Sequence, residues 1–385
     1  MIDYELTREQ KELRARMAAC CLAEIAPRAA ELDSISGSEA AKVVKDNLKR
    51  LGKAGYLDLL VKGDFVSQCV AGEELAKSCP STFLSAMSSG TAFGMAVQAF
   101  GSQAQKDSLL PGICTGEKTG AFACTEDIAG SDLSRIETRA ELKGGKWVLT
   151  GAKDFVTNAP FADTFLVLAW TGPDSGLDKG LSFFLVDRSA AGLEVTGAVE
   201  TMGLRGAPVA GIRLAGCAVP ADNLLGKAGE GYAIWKSITE WLKLAVSILS
   251  LGIGVACMEI STSHGKNRKA FGRPIGLFEG VGAKLAIMFT NNDLGRMLTL
   301  RAAWSMDSKD ADAPVLASCA KLFTSEAANK TSDLAMQVHG GHGYLKGTAV
   351  ERLYRDARFA ELAYGTSEMQ RAFIARDNLN KYKPA

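Results

Sequence analysis

The sequence is poor in histidine and has no cysteine pair at metal-binding spacing, which excludes several classes of metalloprotein. It contains three histidines, His264, His339 and His342, and none stands in a pattern with cysteines or carboxylates that would bind a metal ion. Its nine cysteines are scattered, without a CxxC pair. We therefore expect no metal site, and we interpret the cysteines as small buried side chains in a reducing compartment.

Several nucleotide-binding and hydrolase motifs are also missing. The sequence has no Walker loop and no GxSxG elbow, and the glycines at residues 340–343 do not follow a predicted strand as a dinucleotide-binding GxGxxG would. Lysine and arginine number 44 against 43 aspartates and glutamates, with no basic face, so we expect no nucleic-acid partner. These absences argue against a P-loop enzyme, a nicotinamide Rossmann site and a serine hydrolase of that type.

No export or membrane signal is visible. Residues 1–4 lead directly into a helical pattern, without the basic and apolar regions of a signal peptide. The most apolar stretch, residues 242–258, is short for a bilayer span and contains Lys243. We expect this stretch to be a packed internal helix, and we expect a cytoplasmic protein without a membrane span.

The residue pattern changes twice along the chain, which predicts three domains. Residues 1–118 and 229–385 show apolar residues at helical spacing, whereas residues 119–228 contain short β-branched and aromatic runs separated by turn residues. Helices, strands and helices in that order indicate an α+β fold rather than a doubly wound sheet. We predict an N-terminal helical domain, a central antiparallel β domain and a C-terminal four-helix bundle.

The clearest individual elements lie in the second and third domains. The predicted strands cover residues 146–150, 164–169, 181–186 and 192–195. The predicted helices of the bundle cover residues 232–267, 278–305, 313–339 and 368–380.

Two clusters in the central domain combine polar and aromatic residues. Residues 124–132 contain a Gly-Ser pair, whose N–H groups and hydroxyl suit a phosphate, and Thr125, whose hydroxyl suits a flat heteroaromatic ring. In residues 151–159, Phe155 and Thr157 share one face of a predicted strand, so one ligand can contact both. A polar turn and an ordinary core phenylalanine are the respective alternatives.

A third cluster lies in the C-terminal domain. It consists of a glycine-rich turn at residues 337–344, a charged stretch at 351–358 and a Gly-Thr turn within 364–368. The charged groups of the middle stretch are more than a solvated helix face normally needs, although salt bridges along the helix explain part of them.

Together these segments resemble the acyl-CoA dehydrogenase family, and the similarity extends over essentially the whole chain. Asp127 replaces the proline of the first motif. The similar segments, in the family's order, are residues 125–132 (TEPxAGSD), 151–158 (GxKx(F/W)ITN), 202–206 (MGxRG), 219–226 (VPxxNLLG), 268–274 (RxxFG(R/K)P), 337–344 (QxxGGxGY) and 352–358 (RxxRDAR). Seven motifs in one order make the resemblance specific.

This resemblance implies an FAD site shared between two subunits. The residues implied around the flavin are Phe122, Cys124 and Thr125 on the pyrimidine side, Phe155 and Thr157 on the other side, and Gly130 and Ser131 near a phosphate. The residues implied for the ADP half of a neighbour's FAD are Arg268, Phe271, Gln337, Gly341, Thr366 and Glu368. We therefore expect an oligomer, either a homotetramer or an α/β heteromer with a related subunit.

The resemblance also implies a reaction on an acyl-CoA thioester. The α proton is removed and a β hydride passes to the flavin, while a backbone N–H polarises the thioester carbonyl. Electrons then pass to electron-transferring flavoprotein. The residues implied for substrate contact are Ser131, Glu240, Lys243, Gly365 and Arg376.

The position of the catalytic base departs from the family. A glutamate usually precedes Gly-Thr, where this sequence has Tyr364, or lies on the helix that opens the C-terminal domain, where it has Leu242. A phenol with an ordinary pKa of about 10 is a poor base at neutral pH. Glu240 is turned by roughly 200° from Leu242 on a helix. Residues 59–65 also lack the family's PEEYGG loop, which indicates a trimmed entrance to the site.

Four interpretations are compatible with these residues. The chain is a dehydrogenase with its base elsewhere or with an unusual substrate, or it catalyses other thioester chemistry such as desulfination, elimination or enoyl reduction. Alternatively it is the non-catalytic partner in an α/β assembly, or it belongs with acyl-carrier-protein-linked dehydrogenases or flavin oxygenases.

Overall fold

The computed structural model of the protein describes residues 6–35 and 37–381. Residues 1–4, interpreted above as leading directly into the first helix, lie outside the described residues. The described chain forms a helical part, then a β sheet, then a second helical part. This order confirms the predicted α+β fold.

The first part of the chain is helical. Its α-helices are α1 (Arg8–Cys20), α2 (Ala29–Ser34), α3 (Gly37–Lys53), α4 (Tyr56–Lys62), α5 (Phe65–Ser78), α6 (Pro80–Ala86), α7 (Met95–Phe100) and α8 (Gln103–Thr115). Reciprocal capping boxes begin α1, between Thr7 and Gln10, and α8, between Ser102 and Gln105. Only Gly63 and Asp64 separate α4 from α5, within the segment where the resemblance implied a trimmed entrance.

The central part is one sheet. Its strands are β1 (Gly120–Ala123), β2 (Arg139–Lys143), β3 (Lys146–Thr157), β4 (Thr164–Trp170), β5 (Leu181–Asp187), β6 (Leu193–Val199), β7 (Val209–Pro220) and β8 (Leu224–Leu225), with a short helix α9 (Leu177–Gly180) before β5. The order across the sheet is β6-β7-β3-β2-β4-β5-β8. Most neighbours are antiparallel, as predicted. The exceptions are β1 and Arg139, the first residue of β2, which pair in parallel with β4.

The last part is a helical bundle with a small hairpin, β9 (Lys269–Ala270) and β10 (Arg273–Pro274). Its helices are α10 (Gly231–Asn267), α11 (Glu279–Asp307), α12 (Ala313–His339), α13 (Ala349–Ala357), α14 (Phe359–Leu362) and α15 (Ser367–Lys381). By length and composition α10 is apolar enough to cross a membrane, but 83% of its most apolar window is buried inside the protein. It packs against α5, α11 and α12, which confirms the predicted internal helix.

A charged network joins α13 to the first two parts of the molecule. Arg355 Nη2 lies 2.6 Å from Asp33 Oδ2, and Arg355 Nη1 donates to the carbonyl of Met202 at 2.9 Å. Asp356 accepts the N–H of Leu204 at 2.6 Å, and burial raises the pKa of Asp356 to about 7. The charged stretch at residues 351–358 therefore serves largely to hold the three parts together.

Candidate active site

The segment that follows β1 is fixed to strand β3 by a buried lysine. Lys153 Nζ donates to the carbonyl oxygen of Cys124 at 3.1 Å and to Glu126 Oε1 at 2.7 Å. The N–H of Asp154 donates to the carbonyl oxygen of Thr125 at 2.9 Å. These contacts hold two predicted cofactor residues, Cys124 and Thr125, in a defined conformation at the end of β1.

Charge and hydrogen bonds keep Glu126 ionised inside the protein. Its carboxylate accepts the N–H of Glu137 and the hydroxyl of Thr138, each at 2.6 Å, besides the bond from Lys153. Burial opposes ionisation, but the Lys153 charge and these hydrogen bonds lower the pKa of Glu126 below its ordinary value. Burial raises the pKa of the nearby Cys124 thiol to about 12, so this thiol is not a nucleophile at neutral pH.

Phe155 and Thr157 lie at a bulge in β3. The pairing of β3 with β7 shifts register between Lys153 and Val156, and Phe155 has a φ of 56°. Phe155 is 65% exposed, whereas Thr157 is 8% exposed. Phe155 is therefore not an ordinary core residue. The regular alternation assumed for this strand does not hold, because a bulge adds a residue and breaks the two-residue period.

The loop at residues 127–132 leaves its backbone accessible. Gly130 and Ser131 are exposed, and a Cβ placed on Gly130 would meet no atom within 4 Å. Phe122, in β1, is half-buried, with its ring centroid 5.8 Å from that of Phe183. An open main chain and a partly accessible aromatic ring suit a ligand that carries both a phosphate and a flat ring.

A second set of predicted cofactor residues lies where α10 and α12 end. The rings of His264 and His339 stack with their centroids 4.4 Å apart, which joins the ends of the two helices. Arg268 directly follows α10, while Gln337 and Gly341 lie at the end of α12, and all three are exposed. The structure thus brings these three residues to one end of the bundle.

Phe271 projects from the hairpin of β9 and β10 at the same end. It is 96% exposed and has a φ of 50°, and its ring lies edge-on to that of Phe278 at a centroid distance of 6.1 Å. An exposed aromatic ring on a left-handed backbone is unfavourable in an isolated chain. The arrangement suits a ring that a ligand or another molecule covers.

The two sets of residues are far apart within one chain. Trp235, near the start of α10, lies beside the Cys124 thiol. From Trp235 to Arg268 the helix runs roughly 50 Å, at about 1.5 Å per residue. The Arg268 set of one chain therefore cannot complete the site beside Cys124 in that same chain.

The predicted substrate residues of α10 are partly desolvated. Burial raises the pKa of Glu240 and lowers the pKa of Lys243, so each charge is less favourable there than in water. Lys243 Nζ lies 3.1 Å from Ser318 Oγ and 4.7 Å from the centroid of the Phe373 ring. Arg376, on α15, is exposed.

The two positions considered for a base differ in their surroundings. Leu242 is fully buried in the core. Tyr364 is half-buried, with a φ of 52° and its ring edge-on to Phe359 at 6.4 Å. Burial raises the pKa of Tyr364 above its ordinary value, so its phenol is protonated at neutral pH.

The turn after Tyr364 leads into α15. Gly365 has a φ of 94°, and the Thr366 hydroxyl accepts the N–H of Met369 at 3.4 Å. Glu368 is exposed, and hydrogen bonds from its own N–H and from the Thr366 hydroxyl lower its pKa. Thr366 and Glu368 are thus placed at the beginning of α15.

One buried residue at this turn was missed from the sequence. Lys321, on α12, has 0% exposure, and its Nζ donates to the carbonyl oxygen of Gly365 at 2.7 Å. The only signal was its position among small residues at helical spacing, such as Ser318, Thr324 and Ser325, which are buried on the same helix.

Backbone strain is concentrated at these positions. Phe155, Phe271 and Tyr364 are the aromatic residues with positive φ in the described ranges 6–35 and 37–381. Bulky side chains seldom adopt this conformation, and such outliers cluster at functional sites. With the open backbone at Gly130 and the exposed arginine at Arg268, the residues fit a cofactor that has an aromatic ring system and phosphates.

Three family models match successive parts of the chain. They are described as acyl-CoA dehydrogenase N-terminal domain, middle domain and C-terminal domain, and they match residues 7–117, 121–217 and 229–379.

Individual relatives match over nearly the full chain. The chain is 35% identical to "Probable acyl-CoA dehydrogenase YngJ" of Bacillus subtilis, over 98% of this chain and 100% of that protein. It is 32% identical to acryloyl-CoA reductase (NADH) of Anaerotignum propionicum, over 99% and 97% respectively. The crystal structure of an acyl-CoA dehydrogenase from Bacillus anthracis complexed with FAD has a TM-score of 0.90 at 26% identity, over 99% of this chain and 68% of that one. The chain therefore belongs to the acyl-CoA dehydrogenase family and is an oxidoreductase with FAD as its cofactor.

Proposed function

We propose that this enzyme acts on an acyl-CoA thioester at a site where Tyr364 takes the place of the usual carboxylate base. The observation that supports this proposal most directly is the strained backbone of Tyr364, with a φ of 52°, together with a phenol whose pKa is raised by burial. The backbone N–H of Tyr364 polarises the thioester carbonyl, while its side chain contributes little basicity. The reaction is α,β-dehydrogenation with electrons passing to electron-transferring flavoprotein.

In this proposal, residues of the β sheet and of the loop after β1 hold the cofactor. Phe122, Cys124 and Thr125 line one side of the flavin, Phe155 and Thr157 cover the other, and Gly130 and Ser131 lie near a phosphate. Bound FAD supplies the acceptor for the β hydride. The clamp of Lys153 on the Cys124–Glu126 segment keeps the pyrimidine side in place before the cofactor binds.

Glu240, Lys243, Gly365 and Arg376 contact the thioester and its CoA part, together with Ser131. The partial burial of Glu240 and Lys243 supports a binding role, because a ligand that covers both finds them already partly desolvated.

The ADP half of the cofactor is held by a neighbouring subunit through Arg268, Phe271, Gln337 and Gly341, with Thr366 and Glu368. The roughly 50 Å along α10 between Trp235 and Arg268 supports this assignment. So does an exposed apolar face on α11, formed by Phe289, Leu294, Met297 and Trp304. The assembly proposed is a homotetramer, or a heteromer with a related subunit.

Arg268→Ala tests the shared site. An arginine–phosphate contact is charge-assisted, so its loss is expected to weaken FAD binding by about 1.5–3 kcal/mol, or roughly tenfold or more. FAD affinity is measured by reconstituting the apoprotein, and light scattering reports the oligomeric state. Arg16→Ala, which changes an exposed arginine on α1, is the control. A monomeric holoprotein, or equal losses in the two variants, would contradict the proposal.

A second reaction is favoured by the protonated state of Tyr364. Because its phenol carries a proton at neutral pH, it can donate that proton to the α carbon of an enoyl thioester when a hydride reaches the β carbon. Acryloyl-CoA reductase (NADH), one of the relatives, acts in this direction. In this reaction the tyrosine is the general acid.

Two substitutions at Tyr364 distinguish the candidates. Under dehydrogenation, wild-type enzyme reduces its flavin slowly with butyryl-CoA or glutaryl-CoA, and Tyr364→Glu raises the rate by roughly 10²–10⁴-fold, the usual contribution of a general base. Under enoyl reduction, Tyr364→Phe abolishes turnover of the enoyl thioester and leaves FAD bound. Both are followed anaerobically by flavin absorbance, with Tyr354→Phe, an exposed tyrosine on α13, as control. Fast reduction of wild type by ordinary acyl-CoAs, unchanged in Tyr364→Phe, would assign the base to another residue.

A further inference from the structure

Lys321 occupies an unusual position for a charged side chain. It is fully buried, and its Nζ donates to the carbonyl oxygens of Gly365 at 2.7 Å and Glu361 at 3.4 Å. Within the described residues no carboxylate lies close enough to form an ion pair with it. A buried cation that is not neutralised by an anion lowers the stability of the folded state. Lys321 is therefore poorly explained as a packing residue.

The charges that face Lys321 come from several elements. Burial is the dominant influence and lowers the pKa of Lys321 to about 8. Glu361 on α14, Glu368 on α15 and Glu326 on α12 oppose this effect, and Lys243 on α10 adds to it. The ammonium is thus influenced by several charged side chains that partly cancel one another, and none of them is an ion-pair partner.

The two carbonyl groups that Lys321 contacts lie on both sides of Tyr364 in the chain. Glu361 is three residues before the tyrosine and Gly365 is one residue after it. Tyr364 has a φ of 52°, which is unfavourable for a residue other than glycine, so the turn must be held by surrounding groups. Besides Lys321, the Gly365 carbonyl accepts Gln370 Nε2 at 3.0 Å.

We propose that Lys321 is a positioning residue that fixes the Tyr364–Gly365 turn, so that the Tyr364 N–H points at the carbonyl of the bound thioester. This inference rests on the proposed function. Lys321 does not touch the substrate. It acts through the main chain, since fixing the segment at Glu361 and at Gly365 determines the direction of the peptide group between Ala363 and Tyr364.

The protonation state of Lys321 should control how firmly the turn is held. Charge-assisted hydrogen bonds are about twice as strong as neutral ones. As the pH rises through the pKa of about 8, the Lys321 ammonium loses its charge and its bonds to the two carbonyls weaken. Polarisation of the thioester carbonyl therefore decreases at high pH.

Acetoacetyl-CoA is a suitable probe of this polarisation. It ionises to an enolate that carries negative charge on the thioester oxygen, and an enolate stacked on oxidised flavin gives a long-wavelength absorbance. The apparent pKa of the bound probe therefore measures how well the Tyr364 N–H stabilises that oxygen. The titration uses the FAD-loaded oligomer.

Lys321→Met is expected to raise the apparent pKa of bound acetoacetyl-CoA by roughly one unit, the size of one hydrogen bond. The affinity for free CoA should stay within about twofold, since the contacts of the CoA part are unaffected. Lys330→Met, which changes an exposed lysine on the same helix, should leave both quantities at their wild-type values.

Lys321→Arg supplies a test that does not depend on the folding of Lys321→Met. A guanidinium stays charged up to about pH 12, so this variant should keep its affinity for the enolate above about pH 9, where the enolate affinity of wild type declines. Equal apparent pKa values in wild type and Lys321→Met, or identical high-pH behaviour in wild type and Lys321→Arg, would overturn the role of Lys321 alone. Failure of wild type to bind the probe would overturn the proposed function and this inference with it.

Discussion

The sheet and the bundle each contain a fully buried lysine, and the two are stabilised in different ways. Lys153 in β3 donates to the Glu126 carboxylate at 2.7 Å and to one carbonyl oxygen. Lys321 in α12 donates to the carbonyl oxygens of Gly365 and Glu361 and has no carboxylate at ion-pairing distance in the described residues. The charge of Lys153 is therefore neutralised by Glu126, whereas the charge of Lys321 is stabilised only by the dipoles of two backbone carbonyl groups.

This difference corresponds to two kinds of support for an active site. The Lys153–Glu126 pair holds the loop after β1 permanently, because neither charge can be removed without exposing the other to an apolar interior. Lys321 holds a turn with weaker, neutral acceptors, and its hold changes with pH near its pKa of about 8. The paired lysine contributes to stability, while the unpaired lysine lowers stability and positions the turn.

Removing the paired lysine, Lys153, should cause the largest loss of stability. Lys153→Met leaves Glu126 buried without its cation, and we expect the free energy of unfolding to fall by about 3–5 kcal/mol. Urea denaturation measures the change, with Lys146→Met, an exposed lysine on the same strand, as control. Adding Glu126→Gln to Lys153→Met should recover part of the loss. Equal effects of Lys153→Met and Lys146→Met would show that the pair does not matter for stability.

Removing the unpaired lysine, Lys321, should raise the stability of the fold, by an amount that depends on pH. The folded pKa of Lys321, about 8, lies below the ordinary lysine value, so the unfolded chain binds more protons between the two. Below pH 8 the buried charge therefore lowers the stability of wild type, and this loss disappears as the pH rises towards about 10.4. The stability advantage of Lys321→Met over wild type should decrease by about 3 kcal/mol across that window. A pH-independent difference in denaturation would contradict this expectation.

Removing one hydrogen bond to Glu126, while its ion pair with Lys153 is kept, should have a smaller effect on stability. Thr138→Val removes the hydroxyl that donates to Glu126 at 2.6 Å, with an expected loss of about 1.5 kcal/mol at pH 7. Because the folded pKa of Glu126 is lowered, its ionised form stabilises the fold above the unfolded pKa, and this contribution is lost as the pH falls. The gap between wild type and Thr138→Val should narrow in acid. Thr150→Val, an exposed threonine on β3, should change stability little at either pH.

The periodic elements follow from the sequence alone. The helix predicted over residues 313–339 is α12, and the strands predicted over 164–169 and 181–186 are β4 and β5 with one residue added at the end of each. Repeated apolar spacing specifies such elements locally, because the same face is buried turn after turn or residue after residue. The order of helices, strands and helices, and with it the fold class, follows in the same way.

The two longest strands, β3 and β7, have features that the local sequence pattern did not predict. β7 (Val209–Pro220) was not predicted, since glycines at 211 and 216 interrupt its pattern. The bulge at Phe155 and the parallel pairing of β1 with β4 were not predicted either. Strand neighbours and register depend on contacts between distant segments, which no local pattern records.

The residue types of the site were determined by the sequence, whereas their environments were decided by the tertiary structure. The motifs alone singled out Cys124, Phe155, Arg268 and Tyr364 as site residues, and their roles there stay predictions. A lysine at position 321 predicts a solvent-exposed helix face, because burying its charge is unfavourable. In the folded protein α14 and α15 pack against α12 and exclude water from the Lys321 ammonium. The carbonyl oxygens of Glu361 and Gly365 then accept its hydrogen bonds instead of water. Solvation is a property of everything that surrounds a group, so it is settled only when the chain has folded.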